Sequence, residues 1–369
     1  MQKKWMLVAI TILVSLGLGA CGQKESNTEA SQEVTVAKGL QQKPYEDEKF
    51  LLGTYVRIRV YDQGKEEALK PTFDRIADLG NRITINQAGS EIDKINDQAG
   101  VKPVKVSKDI YGLLKYAQKY SQESKGGFNM AIGAITQLWR IGFDDARKPV
   151  QSEIDEALKH IDYNKIQFND QEQTVYLEDK AMILDLGAIA KGYIADEAVK
   201  VLKDQGVTSA IVDLGGNIFV VGHSWRGEDE DWNVGLQDPN NARGTILGSI
   251  KESDKTIVTS GIYERYLEVD GKKYHHIFNS KTGYPYDNDL ASATIITDKS
   301  IDGDGLTTVI FDKGTKKGLE YVEQELPEGT DAIFVTLEGK VYVTDGIKDT
   351  FKLDPDSGYV MGDRSELTE

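Results

Sequence analysis

The spacing of apolar positions changes several times along this chain, and each change marks a new element. Residues 50–61 alternate after Gly53 and predict a strand. Pro71 opens a predicted helix over 72–82, where its missing N–H costs nothing. Ser90 and Asp93 stand three apart, as in a capping box, and open a short helix to 96. Ser107 caps a longer helix over 108–124, with Ile110, Leu113, Leu114, Ala117 and Tyr120 on its apolar side. Gly126-Gly127 stops it, and a short helix over 152–161 follows. The period then falls to two, and 165–168, 174–177 and 181–184 read as strands.

The run from Met182 to Asp196, MILDLGAIAKGYIAD, leads from that last strand through Asp185 and Gly187 into an amphipathic helix ending near Gly206. A carboxylate and a glycine delivered to a helix start suit an anionic ligand, because free N–H groups and the positive dipole end collect there. The alternative is a packing unit with Asp185 as N-cap. The spacing matches neither a Walker A loop nor a GxGxxG fingerprint. A strand over 210–213 runs into a second Asp-Leu-Gly at Asp213, which predicts a common edge facing a ligand.

Further strands are predicted over 233–236, 246–250 and 256–258, and Asp270-Gly271 joins 264–269 to 272–278 as a hairpin. His275 and His276 on that hairpin face opposite sides, so at most one points into a given site. The helix predicted over 299–312 carries Asp302, Asp304, Thr307 and Thr308 near its start, and Asp304 and Thr308 share a face. Such oxygens suit a hard cation such as magnesium; the alternative is an acidic first turn stabilised by the helix dipole. A helix over 315–325 and strands over 332–336 and 341–344 follow, and the last dozen residues read as frayed. Between Gly126 and Gly142, Phe128 and Trp139 are available to stack on a planar ring, or belong to a loop entering a buried helix. Without strict βαβ alternation, the pattern predicts a single large α+β domain with a mostly antiparallel sheet and flanking helices.

Composition adds export to this picture. Lys3 and Lys4 precede an apolar run, Met6 to Ala20, that is short for a bilayer span. Leu18-Gly19-Ala20-Cys21 fits a bacterial lipobox, so 1–20 read as a signal peptide and Cys21, the one cysteine, as the lipidated residue. Residues 21–44 are polar and read as a disordered tether, leaving 45–369 as the folded domain on the extracytoplasmic face of a bacterial membrane. Loss of Lys3 and Lys4 takes the formal charge from −16 to −18, which argues against nucleic acid as partner. An acidic protein that handles phosphates needs a metal or a local cluster of donors.

Several of these stretches, in order, resemble the FAD:protein FMN transferase family, the ApbE lipoproteins: Gly53-Thr54, SEIDKIN, GGFNMAIGAITQLW, DLGAIAKGYIAD, VDLGGNI, the QDP from Gln237, TSGIYERY from Thr259, HHIFNSKTG from His275, and DGDGLTT. The resemblance implies a T-fold-like domain and a reaction in which FAD is split, AMP leaves, and FMN is joined through a phosphoester to a threonine of an extracytoplasmic acceptor protein. It implies magnesium, held by Asp304 and Thr308 with Thr307 beside them and the backbone carbonyl of Ala188 as a further ligand. It implies FAD contacts from Leu52, Asn86, Gly127, Phe128, Asn129, Asp185, Lys191, His276 and Ile277. Asp304 and His276 become the candidate catalytic groups, with His276 accepting the threonine proton. The chain departs from the family pattern at Asn129, Asn279-Ser280, Asn86 and Lys191. Two other readings use the same residues: an FAD pyrophosphatase with water as acceptor, and a non-catalytic lipoprotein that binds flavin or is itself flavinylated.

Overall fold

Leu52 and Gly53 both take positive φ, 55° and 73°, and fold the chain back between β1 (Leu40–Leu51) and β2 (Thr54–Asp62). Two left-handed residues are what a two-residue hairpin needs for its twist to match that of the strands. Across the pair Glu46 meets Arg59 and Glu48 meets Arg57, while Val56, Ile58 and Val60 point into the core. The computed structural model describes residues 35–367. The signal peptide and Cys21 therefore lie outside the described residues.

Seven more strands extend the sheet in chain order: β3 (Ala210–Leu214), β4 (Asn217–Val221), β5 (Lys255–Gly261), β6 (Leu290–Thr297), β7 (Asp331–Thr336), β8 (Lys340–Val343) and β9 (Val360–Met361). Among the described residues the sheet order follows the chain from β1 to β9, and every neighbour pair is antiparallel except β8–β9. On one face lie α1 (Leu69–Ile83), α2 (Glu91–Asp97) and α3 (Lys108–Glu123), then α4 (Gly133–Trp139) and α5 (Gln151–Ala157) further out, and α6 (Ala190–Asp204) and α7 (Ser300–Glu325). α7 is two helices meeting at Gly314, whose φ of 72° and ψ of −175° break the helical run. The other face packs Val220, Ile257, Ile296 and Val335 against a three-stranded sheet of Trp232–Gln237, Ile246–Glu252 and Phe351–Leu353. The α+β architecture with a mostly antiparallel sheet is as the sequence predicts.

Four expectations need correction. Residues 40–44 are in β1 and not in a tether; Leu40 pairs with Asp62, and the Ala37 N–H donates to the Trp225 carbonyl. Their polar composition suits an edge strand whose side chains reach water. Residues 181–184 form no strand. A single bridge joins Ile183 to Ile132, and the Asn96 side chain takes up the N–H and carbonyl of Leu184 where a strand neighbour would stand. β6, in the middle of the sheet, is buried along its whole length and was missed, as was β4. Residues 358–367 are not frayed, because β9 pairs with β8 and Arg364 binds the Glu323 carboxylate with both terminal nitrogens, at 3.1 and 2.8 Å.

Candidate active site

The first turn of α6 has no side-chain cap of its own; its N-cap, Ile189, cannot supply one. A carboxylate from far along the chain takes that role. Asp304 on α7, only 2% exposed, accepts the Gly192 N–H at 2.9 Å through Oδ2 and the Lys191 ammonium at 2.9 Å through Oδ1. The converse contact is made by Asp196 on α6, which accepts the Ser300 and Ile301 N–H groups at 2.8 and 2.9 Å at the start of α7. Each helix therefore places a carboxylate at the positive end of the other. Burial pushes the Asp196 carboxyl up to about 6, against the lowering effect of those two hydrogen bonds. The helices can come this close because Gly192 has no side chain: a Cβ there would lie 2.2 Å from the Ser300 carbonyl oxygen.

Beside this junction opens a cavity of about 350 Å³. Leu52, Asn86, Gly127, Phe128, Asn129, Asp185, Ala188, Lys191, His276, Ile277, Asp304, Thr307 and Thr308 all border it. The sheet, two helix starts and the hairpin thus bring together the site residues that the family resemblance implies, whereas Asp302 lies outside the cavity and accepts from the Tyr116 and Tyr120 hydroxyls. Residues the sequence did not single out also line it, among them Thr136, Phe143, Arg243, Ser260 and Arg265. The Gly215 contribution puts the second Asp-Leu-Gly at the same cavity, where Asp213 accepts the Gly215 and Gly216 N–H groups.

The residues do different things there. Asp185 is not the cap of α6: Oδ1 accepts the Gly187 N–H at 2.8 Å and Oδ2 the Thr136 hydroxyl at 2.6 Å, so it shapes the turn that exposes Gly187 and Ala188. Asn129 likewise fixes its own loop, accepting from the Ala131 N–H and donating to the Ile161 carbonyl. Phe128 and Trp139 do not offer stacking faces. Phe128 is 1% exposed, and Trp139 is fully buried with Nε1 donating to the Gly283 carbonyl. Stacking requires an open ring face, and both rings are closed in by core neighbours. Phe143, 39% exposed, is the most exposed aromatic side chain at this cavity, with the Arg140 guanidinium over its ring at 4.5 Å.

The imidazole of His276 is crowded by protein on most sides and lies near the Arg265 and Lys191 charges. Burial first, and then Arg265, push it down to about 3, so it is neutral near pH 7. Its Nδ1 lies 3.2 Å from the Arg265 carbonyl oxygen, an acceptor with no proton to give. Nδ1 therefore carries the hydrogen and Nε2 the lone pair. His275, facing the other way, bonds the Tyr286 carbonyl and belongs to the packing beneath the hairpin.

The candidate cation ligands at the α6–α7 junction are all oxygens: the Asp304 carboxylate, the Thr307 and Thr308 hydroxyls and the Ala188 carbonyl. The Gly192 N–H, one turn on from that carbonyl, donates to Asp304, and among the described residues no backbone N–H replaces it on Ala188. One carboxylate with neutral oxygens fits magnesium, which completes its shell from water and substrate phosphates.

A long antiparallel sheet whose covering helices meet at a carboxylate-capped, cation-lined cavity defines an α+β enzyme domain built around an anionic ligand. The chain belongs to the ApbE family, whose sequence model it matches over residues 52–334. It is similar to an FAD:protein FMN transferase of Klebsiella pneumoniae, 36% identical over 85% of this chain and 95% of that protein. A protein of the same name from Treponema pallidum is 34% identical, over 94% of this chain and 95% of its own length. Among solved structures, the ApbE protein of Thermotoga maritima has a TM-score of 0.75 at 30% identity, covering 82% of this chain and 98% of that one.

Proposed function

We infer that this protein is an FAD:protein FMN transferase that works with magnesium and modifies a threonine of an acceptor protein. The observation that carries the reading is the convergence of Asp304, Lys191 and a neutral His276 on one cavity at the start of α6. In the reaction, the threonine oxygen attacks the phosphorus of the FMN half of FAD, the bond from that phosphorus to the bridging oxygen breaks, and AMP leaves with the electron pair. His276 Nε2, unprotonated near pH 7, accepts the hydroxyl proton; as a base this weak it supplies the lower end of what general-base catalysis gives, about 10²-fold in rate. Asp304, Thr307, Thr308 and the Ala188 carbonyl would hold the magnesium ion. Magnesium, when bound, supplies positive charge to the diphosphate as the bond breaks. Lys191 keeps Asp304 oriented and adds a second positive charge to a site in an otherwise acidic protein.

We place the enzyme on the extracytoplasmic face, anchored through Cys21, on the strength of the lipobox pattern. Incubation with FAD, magnesium and a candidate acceptor, followed by gel separation, tests the activity. Flavin fluorescence fixed to the acceptor band is expected. Free FMN and AMP with no fluorescent acceptor would favour the pyrophosphatase instead, and flavin fixed to Thr307 of the protein itself would favour the carrier reading. Membrane release of a Cys21→Ser variant tests the anchor.

A further inference from the structure

The chain has ten arginines. Seven of them pair with carboxylates, and Arg226 lies over the Trp225 ring at 4.8 Å. The two that do neither, Arg243 and Arg265, both border the active-site cavity and both are exposed at its mouth. In a protein of net charge −16, unpaired cations gathered at one opening form a local positive spot.

Both are held by rigid surroundings. Arg265 crosses Gly142, where a Cβ would meet its Cδ at 2.8 Å, and its own carbonyl fixes His276. Arg243 sits on the loop between Trp232–Gln237 and Ile246–Glu252. Buried Asp238 ties that loop down by accepting from the Asn240 N–H, the Asn241 amide and the Tyr359 hydroxyl. Next to them are two of the exposed aromatic side chains, Phe143 in the cavity wall and Tyr266 directly after Arg265. The Arg140 guanidinium lies over the Phe143 ring at 4.5 Å and the Lys273 ammonium over the Tyr266 ring at 4.6 Å. Arginine and exposed aromatic side chains on a fixed frame are the composition of protein-binding hot spots. Inside the cavity, the diphosphate already has Lys191 and the cation site to neutralise it. The outer cations are left without a ligand in that scheme.

We propose that Arg243 and Arg265, with Phe143 and Tyr266, form the docking surface for the acceptor protein and bind an acidic segment flanking the hydroxyl residue to be modified. This rests on the transferase reading above. Charge complementarity selects the occupant: in a protein of net charge −16, an acidic segment meets two guanidinium groups without ion-pair partners at this opening beside His276, with Glu264 the exposed carboxylate next to them.

The test is fluorescence anisotropy of the full chain with a labelled peptide carrying a threonine between aspartates, and with its asparagine counterpart, in the absence of FAD. The acidic peptide is expected to bind at least about tenfold more tightly, with the preference falling below about twofold in Arg243→Glu/Arg265→Glu and returning in Arg243→Lys/Arg265→Lys. Equal binding of the two peptides to the wild type, or a preference that survives the double charge reversal, overturns the proposal. So does a tenfold or greater loss of FAD affinity in the double reversal, which would assign the arginines to the substrate phosphates. Peptide binding needs no turnover. Failure of the transferase reading therefore shows up separately, as a wild type that leaves no covalent flavin on any acceptor.

Discussion

Asp304 on α7 accepts the backbone N–H of Gly192 on α6 at 2.9 Å, and this bond joins the two helices that frame the cavity. It orients the carboxylate toward the Lys191 ammonium and takes the Gly192 N–H away from the Ala188 carbonyl. The same contact requires that residue 192 be glycine, given the 2.2 Å separation a Cβ would have from the Ser300 carbonyl. Gly192→Ala should lower stability by about 1–3 kcal/mol through overpacking, read from chemical denaturation. An unchanged midpoint would mean that the helix junction is not the tight contact described.

Asp304→Asn keeps the shape and removes the charge. The account expects transfer to fall about 10²–10³-fold, as when one charge-stabilising group is lost. EDTA should abolish transfer by the wild type, and added magnesium should restore it. Full activity in EDTA would remove the metal from the scheme.

His276 is held neutral by burial and by Arg265, with a folded value of about 3 against an ordinary value of 6.5. Protonation therefore favours the unfolded chain, and this contribution to stability is present above pH 6.5 and lost as pH falls toward 3. Nitrogen NMR should find the imidazole neutral and protonated on Nδ1 from pH 5 to 8. His276→Gln should lower kcat by about 10²-fold, the lower end expected of so weak a base, with FAD affinity little changed. A His276 signal that titrates near pH 6.5 would contradict this placement.

Asp196 titrates in the opposite sense. Burial raises its folded value from 3.8 to about 6, so its favourable contribution is present below pH 3.8 and lost as pH rises through 6. The stability difference between the wild type and Asp196→Asn should shift by about 3 kcal/mol over that window, from 1.36 kcal/mol per pKa unit. A difference that does not change with pH would show that the two N–H groups of α7 offset the burial in full.

The sequence made the site legible because glycines, acids and a hairpin signal mark turns, and turns are where this fold meets its ligand. Ala188 is singled out by the family resemblance and not by the turn, because an alanine carries no side-chain signal for a ligand. The stacking role for Phe128 and Trp139 failed because an aromatic at a glycine-rich turn reads the same whether its ring faces a ligand or the core. β6 was invisible because Leu290–Thr297 is buried on both faces, so no alternation marks it. Arg243 and Arg265 carried no signal, since being unpaired is a property of the folded arrangement. Residues 181–184 misled for a related reason: the side chain of Asn96, distant in sequence, replaces the strand neighbour that an apolar run suggests.

The central claim is covalent transfer, and intact mass of the acceptor after incubation with FAD and magnesium tests it most directly. The account predicts that the acceptor gains the mass of one FMN less one water, that the gain disappears when its threonine is replaced by alanine, and that Asp304→Asn nearly abolishes it. An acceptor of unchanged mass alongside free FMN and AMP would contradict it.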